Sequence, residues 1–135
     1  LGVLAQQELL QLREAGLRRY HHKLETARSH FQNICTTHSY EARVQTVRMA
    51  QEAGLEVCAG GILGLGETPQ QRIELAITLR DLQVESVPLN FLNPIPGTPA
   101  ARYGLLQPLE ILAAISLFRF MLPDREIRIC GGAAI

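Results

Sequence analysis

The chain has 135 residues, enough for one domain or part of one, and its 47% apolar and 19% charged residues exclude a disordered tail. Thirteen Lys plus Arg balance thirteen Asp plus Glu, so no net field draws the chain to nucleic acid or an anionic membrane. No apolar run approaches the roughly 18 to 20 residues of a membrane span, and three scattered cysteines without a CxxC pair fit a reducing, cytoplasmic setting rather than a disulfide framework.

The first periodic stretch, residues 5–15, brings Leu9, Leu10 and Leu12 near one face and stops at Gly16, a helix terminator. Residues 17–22 read as a short strand. Ser39 is placed as the N-cap of the next helix, which carries Arg43, Val44 and Val47 and ends at Gly54. Residues 55–58 form a second strand that runs into a glycine-rich turn through Glu67. Thr68 and Pro69 open a third helix, with Ile73, Ala76 and Ile77 on one face. Residues 86–91 are a third strand, although Pro88 is awkward in a central position. A loop of proline and glycine at residues 93–99 precedes a long apolar helix from Pro108 to Met121. Pro123 and Asp124 then turn the chain into a last strand, residues 126–129.

Alternation of helix and strand with crossovers of this length means an α/β fold with a parallel sheet of about four strands. Two architectures fit: half of an eight-stranded TIM-type (β/α)8 barrel, or an open doubly wound sheet. Leu1 is not a Met, no charged leader precedes an apolar run, and the chain stops on Ile135 just after a strand. Both ends are therefore expected to be cuts through a larger fold, with a processed chain as the alternative.

In either architecture chemistry gathers at the C-terminal strand ends, here residues 20–25, 58–67, 90–93 and 128–132. Gly60, Gly61, Gly64 and Gly66 follow a strand and precede a helix, which admits close approach of backbone to a ligand and offers N–H groups to a carboxylate or phosphate. Their spacing is neither a dinucleotide fingerprint nor a P-loop, and a plain tight turn explains them equally well. Cys58 at a strand end is either a buried small hydrophobe or a thiolate for a soft metal or iron–sulfur cluster. Arg128 alternates with Ile127 and Ile129, so it points either into a barrel lumen, where it needs an acceptor or anion, or outward from an edge. None of His21, His22, His30 and His38 has a Cys partner at zinc-finger spacing.

Taken together, these segments resemble the biotin synthase family of radical S-adenosylmethionine (SAM) enzymes. Residues 20–26 (YHHKLET) are similar to its Y-[NH]-H-N-L-[DE]-T motif, and residues 33–40 (NICTTHSY) to N-I-x-T-T-x-x-Y. Residues 57–68 are similar to V-C-S-G-G-I-x-G-L-G-E. Residues 86–99 match its substrate-side strand and loop, and residues 127–132 its last strand. The resemblance implies that residues 1–135 are the C-terminal half of a (β/α)8 barrel that converts dethiobiotin to biotin with SAM, a 4Fe–4S cluster and a sulfur-donating 2Fe–2S cluster. By resemblance Cys58 and Arg128 are ligands of the 2Fe–2S cluster. Glu25 approaches the SAM ribose or substrate, Arg43 the SAM carboxylate, and Asn90 the dethiobiotin ring. Gly60, Gly61 and Ile62 line the adenosyl site.

The chain departs from the family in lacking the CxxxCxxC motif that holds the 4Fe–4S cluster and in carrying Lys23 where the family has Asn. The isolated chain is therefore expected to be inactive, and the full enzyme a homodimer. A related radical SAM enzyme and a non-catalytic half-barrel are the competing readings. Two unpaired sheet edges and an alternately apolar inner face are also expected to promote self-association. The family reading requires Cys58 and Arg128 to point to the same side of the sheet.

Overall fold

Parallel pairing organises residues 2–130, the part of the chain described by this computed structural model. The elements are α1 (Gln6–Glu14), β1 (Arg19–His21), α2 (Arg28–Phe31), α3 (Tyr40–Glu52), β2 (Glu56–Cys58), β3 (Gly61–Leu63), α4 (Pro69–Asp81), β4 (Ser86–Phe91), a 3-10 turn (Pro99–Tyr103), α5 (Pro108–Met121) and β5 (Glu126–Ile129). The four expected strands and four long helices are all present. The short α2 and the 3-10 turn are additions, too brief to leave a periodic signature.

Helix starts follow local chemistry. Ser39 Oγ accepts from the Ala42 N–H at 3.1 Å to cap α3. Thr68 and Gln71 form a reciprocal capping box at α4, with Pro69 at the first helical position. Gly54, at φ +79°, takes the left-handed conformation that follows the end of α3.

β2 is the strand expected at residues 55–58, whereas β3 forms where a glycine-rich turn was expected; Cys58↔Ser86 and Gly61↔Leu89 keep the same register against β4, so the two are segments of one run. The interruption at Ala59 and Gly60 lies opposite Pro88, which has no N–H to give the ladder. This is how a proline sits in a strand paired on both sides: β4 also pairs with β5 through Pro88↔Arg128. With β2 and β3 counted as one run, spatial order follows chain order, β1 to β5, with no reversal. A doubly wound sheet reverses at a switch point, so the arrangement is an open segment of a barrel-type sheet.

The two faces differ sharply. Tyr20, Val57, Leu63, Val87, Leu89 and Phe91 are buried in one core with Leu9, Phe31, Val47, Leu75, Leu79 and Phe118 of the helices. The opposite face carries Arg19, His21, Glu56, Cys58, Ile62, Ser86, Pro88, Asn90, Glu126 and Arg128. The expectation of an alternately apolar inner face is corrected: it is mostly polar, because hydrophobic residues were drawn to the helix side. No helix among the described residues is long and apolar enough to cross a membrane.

Candidate functional site

Partners in adjacent parallel strands, and residues two apart in one strand, project to the same face. Cys58 pairs with Ser86, Arg128 with Pro88, and Ile62 with Asn90, so Cys58, Ile62, Asn90 and Arg128 all project into the concave, lumen side. Cys58 is buried there. Arg128 is half-exposed, with Nε 3.9 Å from Glu126 Oε1, while Glu126 accepts more closely from Arg19 Nη1 at 2.8 Å. Arg19 Nε also donates to Glu56 at 2.9 Å. A floor of charge pairs thus underlies a thiol and a loosely held guanidinium. These two groups suit one side of an iron–sulfur cluster and do not complete its ligand set. Among the described residues no three His, Cys, Asp or Glu side chains gather as a metal site.

Glu25 and Arg43 meet at the C-terminal end of β1. Arg43 Nη1 lies 3.3 Å from Glu25 Oε1 and donates to the Lys23 carbonyl at 2.7 Å. Its Nε donates to His38 Nε2 at 2.8 Å, and the guanidinium lies over the Phe31 ring. Glu25 itself has φ +70°, a left-handed conformation costing a non-glycine residue about 1–2 kcal/mol. It is held there by the Ile62 N–H, which donates to the Glu25 carbonyl at 2.8 Å. The backbone of β3 therefore fixes the acidic side chain next to Ile62.

The glycine run proves to serve the protein's own packing. A Cβ on Gly60 would stand 2.0 Å from the Pro88 carbonyl oxygen, and one on Gly61 2.7 Å from that of Glu25. These two residues let the backbone at Pro88 and at Glu25 approach closely. The turn does bind a carboxylate, but an internal one. Glu67 accepts from the Gly64 N–H at 2.9 Å and the Leu65 N–H at 2.8 Å, and its other partner is Arg72 Nε at 2.8 Å.

Three features of the site emerge only from the tertiary structure. His22 is buried, its Nε2 has no hydrogen-bond partner among the described residues, and burial, followed by the nearby Arg43 charge, pushes it down to about 4. Lys23 lines a cavity of about 550 Å3 together with Glu25, Arg43, His22 and His38. Cys35 ends a hydrogen-bond chain that starts at Arg43. Arg43 can only donate, so His38 Nε2 accepts and Nδ1 carries the proton, facing Thr37 Oγ1 at 2.9 Å. The Thr37 hydroxyl then points its hydrogen to Cys35 Sγ at 3.6 Å, and that hydrogen bond is the main cause holding the thiol below its ordinary value. The NICTT spacing offered a signal, since a Cys three residues before a His can share one turn.

A model for the radical SAM superfamily matches residues 2–79, and one for the biotin and thiamin synthesis associated domain matches residues 88–134. A biotin synthase of Geobacter sulfurreducens is 61% identical over 98% of this chain and 40% of its own length. One of Maridesulfovibrio salexigens is 59% identical over 99% of this chain and 41% of its own. The chain thus spans well under half the length of these relatives. In structure it is similar to methylornithine synthase (PylB), with TM-score 0.84 and 26% identity over 93% of this chain and 38% of that one. It shares the fold, at TM-score 0.63 and 11% identity, with Streptococcus suis SuiB bound to S-adenosylmethionine, covering 83% of this chain and 26% of that one.

Proposed function

This chain belongs to the radical SAM superfamily, and on that premise we propose that it is the C-terminal half-barrel of a biotin synthase, inserting sulfur into dethiobiotin. The observation that carries the reading is the shared lumen face of Cys58, Asn90 and Arg128. The high identity to biotin synthases across the matched length supports it.

When bound, SAM and the iron–sulfur clusters supply radical C–H cleavage and the inserted sulfur. The residues of this chain bind and orient. Cys58 offers a soft anionic thiolate to the sulfur-donating cluster. Arg128, half-exposed and weakly paired, is free to swing a planar donor group towards the same cluster. Glu25 presents acceptor oxygens to the ribose hydroxyls, and Arg43 holds that carboxylate in place. The Asn90 amide matches the donors and acceptors of a cyclic urea, and Ile62 beside it provides an apolar wall. Gly60 and Gly61 act indirectly, by letting the strands close enough to align Glu25 with Ile62.

The chain contains no CxxxCxxC motif, so the ligands for the 4Fe–4S cluster are not among its residues. The test therefore uses the full-length protein, reconstituted anaerobically with iron and sulfide. Dethiobiotin is expected to yield biotin, and Cys58→Ala to remove the 2Fe–2S signature in Mössbauer spectra while sparing the 4Fe–4S signature. Undiminished 2Fe–2S content in Cys58→Ala, or no biotin from the unaltered protein, would overturn the reading. A radical SAM enzyme with another substrate is the second reading, favoured by the fold shared with methylornithine synthase and by Lys23 in the cavity.

A further inference from the structure

Two cations, Arg43 and Lys23, line the cavity at the C-terminal end of β1. Arg43 is committed to Glu25, His38 and the Lys23 carbonyl. Glu25, the only carboxylate among the described residues of the cavity wall, is therefore already matched by a guanidinium. Lys23 follows His21 by two residues on the lumen side and is partly buried, yet its ammonium has no hydrogen bond or ion pair with any described residue. Its stem is partly covered while the ammonium keeps contact with water and has no acceptor among the described residues, so the charge is available to an anion entering the cavity. The same cavity is lined by His22, whose side chain is nine-tenths buried and whose Nε2 has no partner among the described residues. The wall thus holds one uncompensated positive charge and one orphaned polar atom around about 550 Å3 of space.

We propose that Lys23 receives the carboxylate of a small molecule bound in this cavity, and so acts as a specificity-determining residue. An amide at this position would serve a neutral partner, whereas an ammonium gains most from an anionic one through a charge-assisted hydrogen bond. The inference rests on the functional reading above, under which two carboxylates are available, that of SAM and that of dethiobiotin.

Calorimetric titration of the cluster-loaded, full-length protein separates the two sources. SAM is compared with decarboxylated SAM, and dethiobiotin with its methyl ester. Lys23→Met is expected to weaken binding of one of the two acids about 10- to 100-fold, the range of one charge-assisted hydrogen bond, and to leave its carboxylate-free analogue unaffected. The acid that responds identifies the source. Lys23→Arg, which keeps the charge, is expected to retain most of the affinity and shows that the fold tolerates substitution. Lys23 is the only lysine in this chain, so its reductive methylation can be followed in one peptide, and the bound acid should slow it. Equal weakening of acid and analogue by Lys23→Met, or no weakening of either acid, overturns the proposal. An unaltered protein that binds neither acid overturns the functional reading instead.

Discussion

Gly60 lies directly against Pro88: a Cβ at position 60 would stand 2.0 Å from the Pro88 carbonyl oxygen and 3.0 Å from its Cδ. The proline leaves the ladder one N–H short, and the glycine lets the neighbouring strand pass the ring without a side chain in the way. Backbone cannot yield as a flexible side-chain tip can. Gly60→Ala is therefore expected to cost about 3 kcal/mol, at the upper end of overpacking, in urea unfolding. Gly97→Ala is the control. It has φ +82° and open space around it, so only the left-handed penalty of about 1 kcal/mol applies. Equal costs at the two sites would refute the close approach.

Glu67 ties the turn after β3 to α4. Its carboxylate is nearly fully buried against the Gly64 and Leu65 N–H groups and Arg72. Glu67→Ala strands a mostly buried guanidinium and two N–H donors, which predicts a loss of about 3–5 kcal/mol by chemical denaturation. Glu67→Gln keeps one acceptor oxygen and should lose less.

The thiol of Cys35 should be the most reactive of the described cysteines near neutral pH. Its value is lowered by the Thr37 hydroxyl, and the thiolate is the nucleophile. Peptide-resolved alkylation rates measured against pH should show Cys35 ahead of Cys58 and Cys130. Thr37→Val removes the donor and should move the Cys35 profile to higher pH. An unmoved profile would show that the hydroxyl does not act on the sulfur.

His22 makes stability depend on pH. Its folded-state value is about 4 against an ordinary 6.5, because burial opposes the charged ring. Above pH 6.5 the ring is neutral in both folded and unfolded chains, and its contribution to stability is fully present. Between 6.5 and 4 the unfolded chain takes up a proton that the folded one refuses, so stability falls as pH falls, by roughly 2 kcal/mol after allowance for solvent screening. His22→Gln should flatten the denaturation profile over that window, and an unchanged slope would assign it to other groups.

Much of the architecture was legible in local chemistry. Ser39, Thr68 and Pro69 announced the helix starts, and the strand at residues 86–91 was found to the residue. Pro88 argued against that strand because a sequence does not show what stands opposite a residue. The interruption at Ala59 and Gly60 resolves the conflict, and it exists only in the pairing. The candidate site was legible as a set of residues, while the packing duty of its glycines was not. A sequence shows a missing side chain but not the neighbouring backbone that needs the space, so the close contacts of Gly60 and Gly61 are visible only in the fold.

The sequence by itself determined the alternation of helices and strands, the balance of charge, and the recurring family motifs, since propensity, capping and residue identity are properties of short segments. Tertiary structure decided which side chains share a face, that Glu67 accepts from the N–H groups of the glycine turn, and that Arg43 is matched by Glu25 while Lys23 has no partner among the described residues. Those outcomes depend on contacts between residues far apart in the chain. No local pattern encodes them, because the energy of a buried charge is set by the partner that folding brings to it.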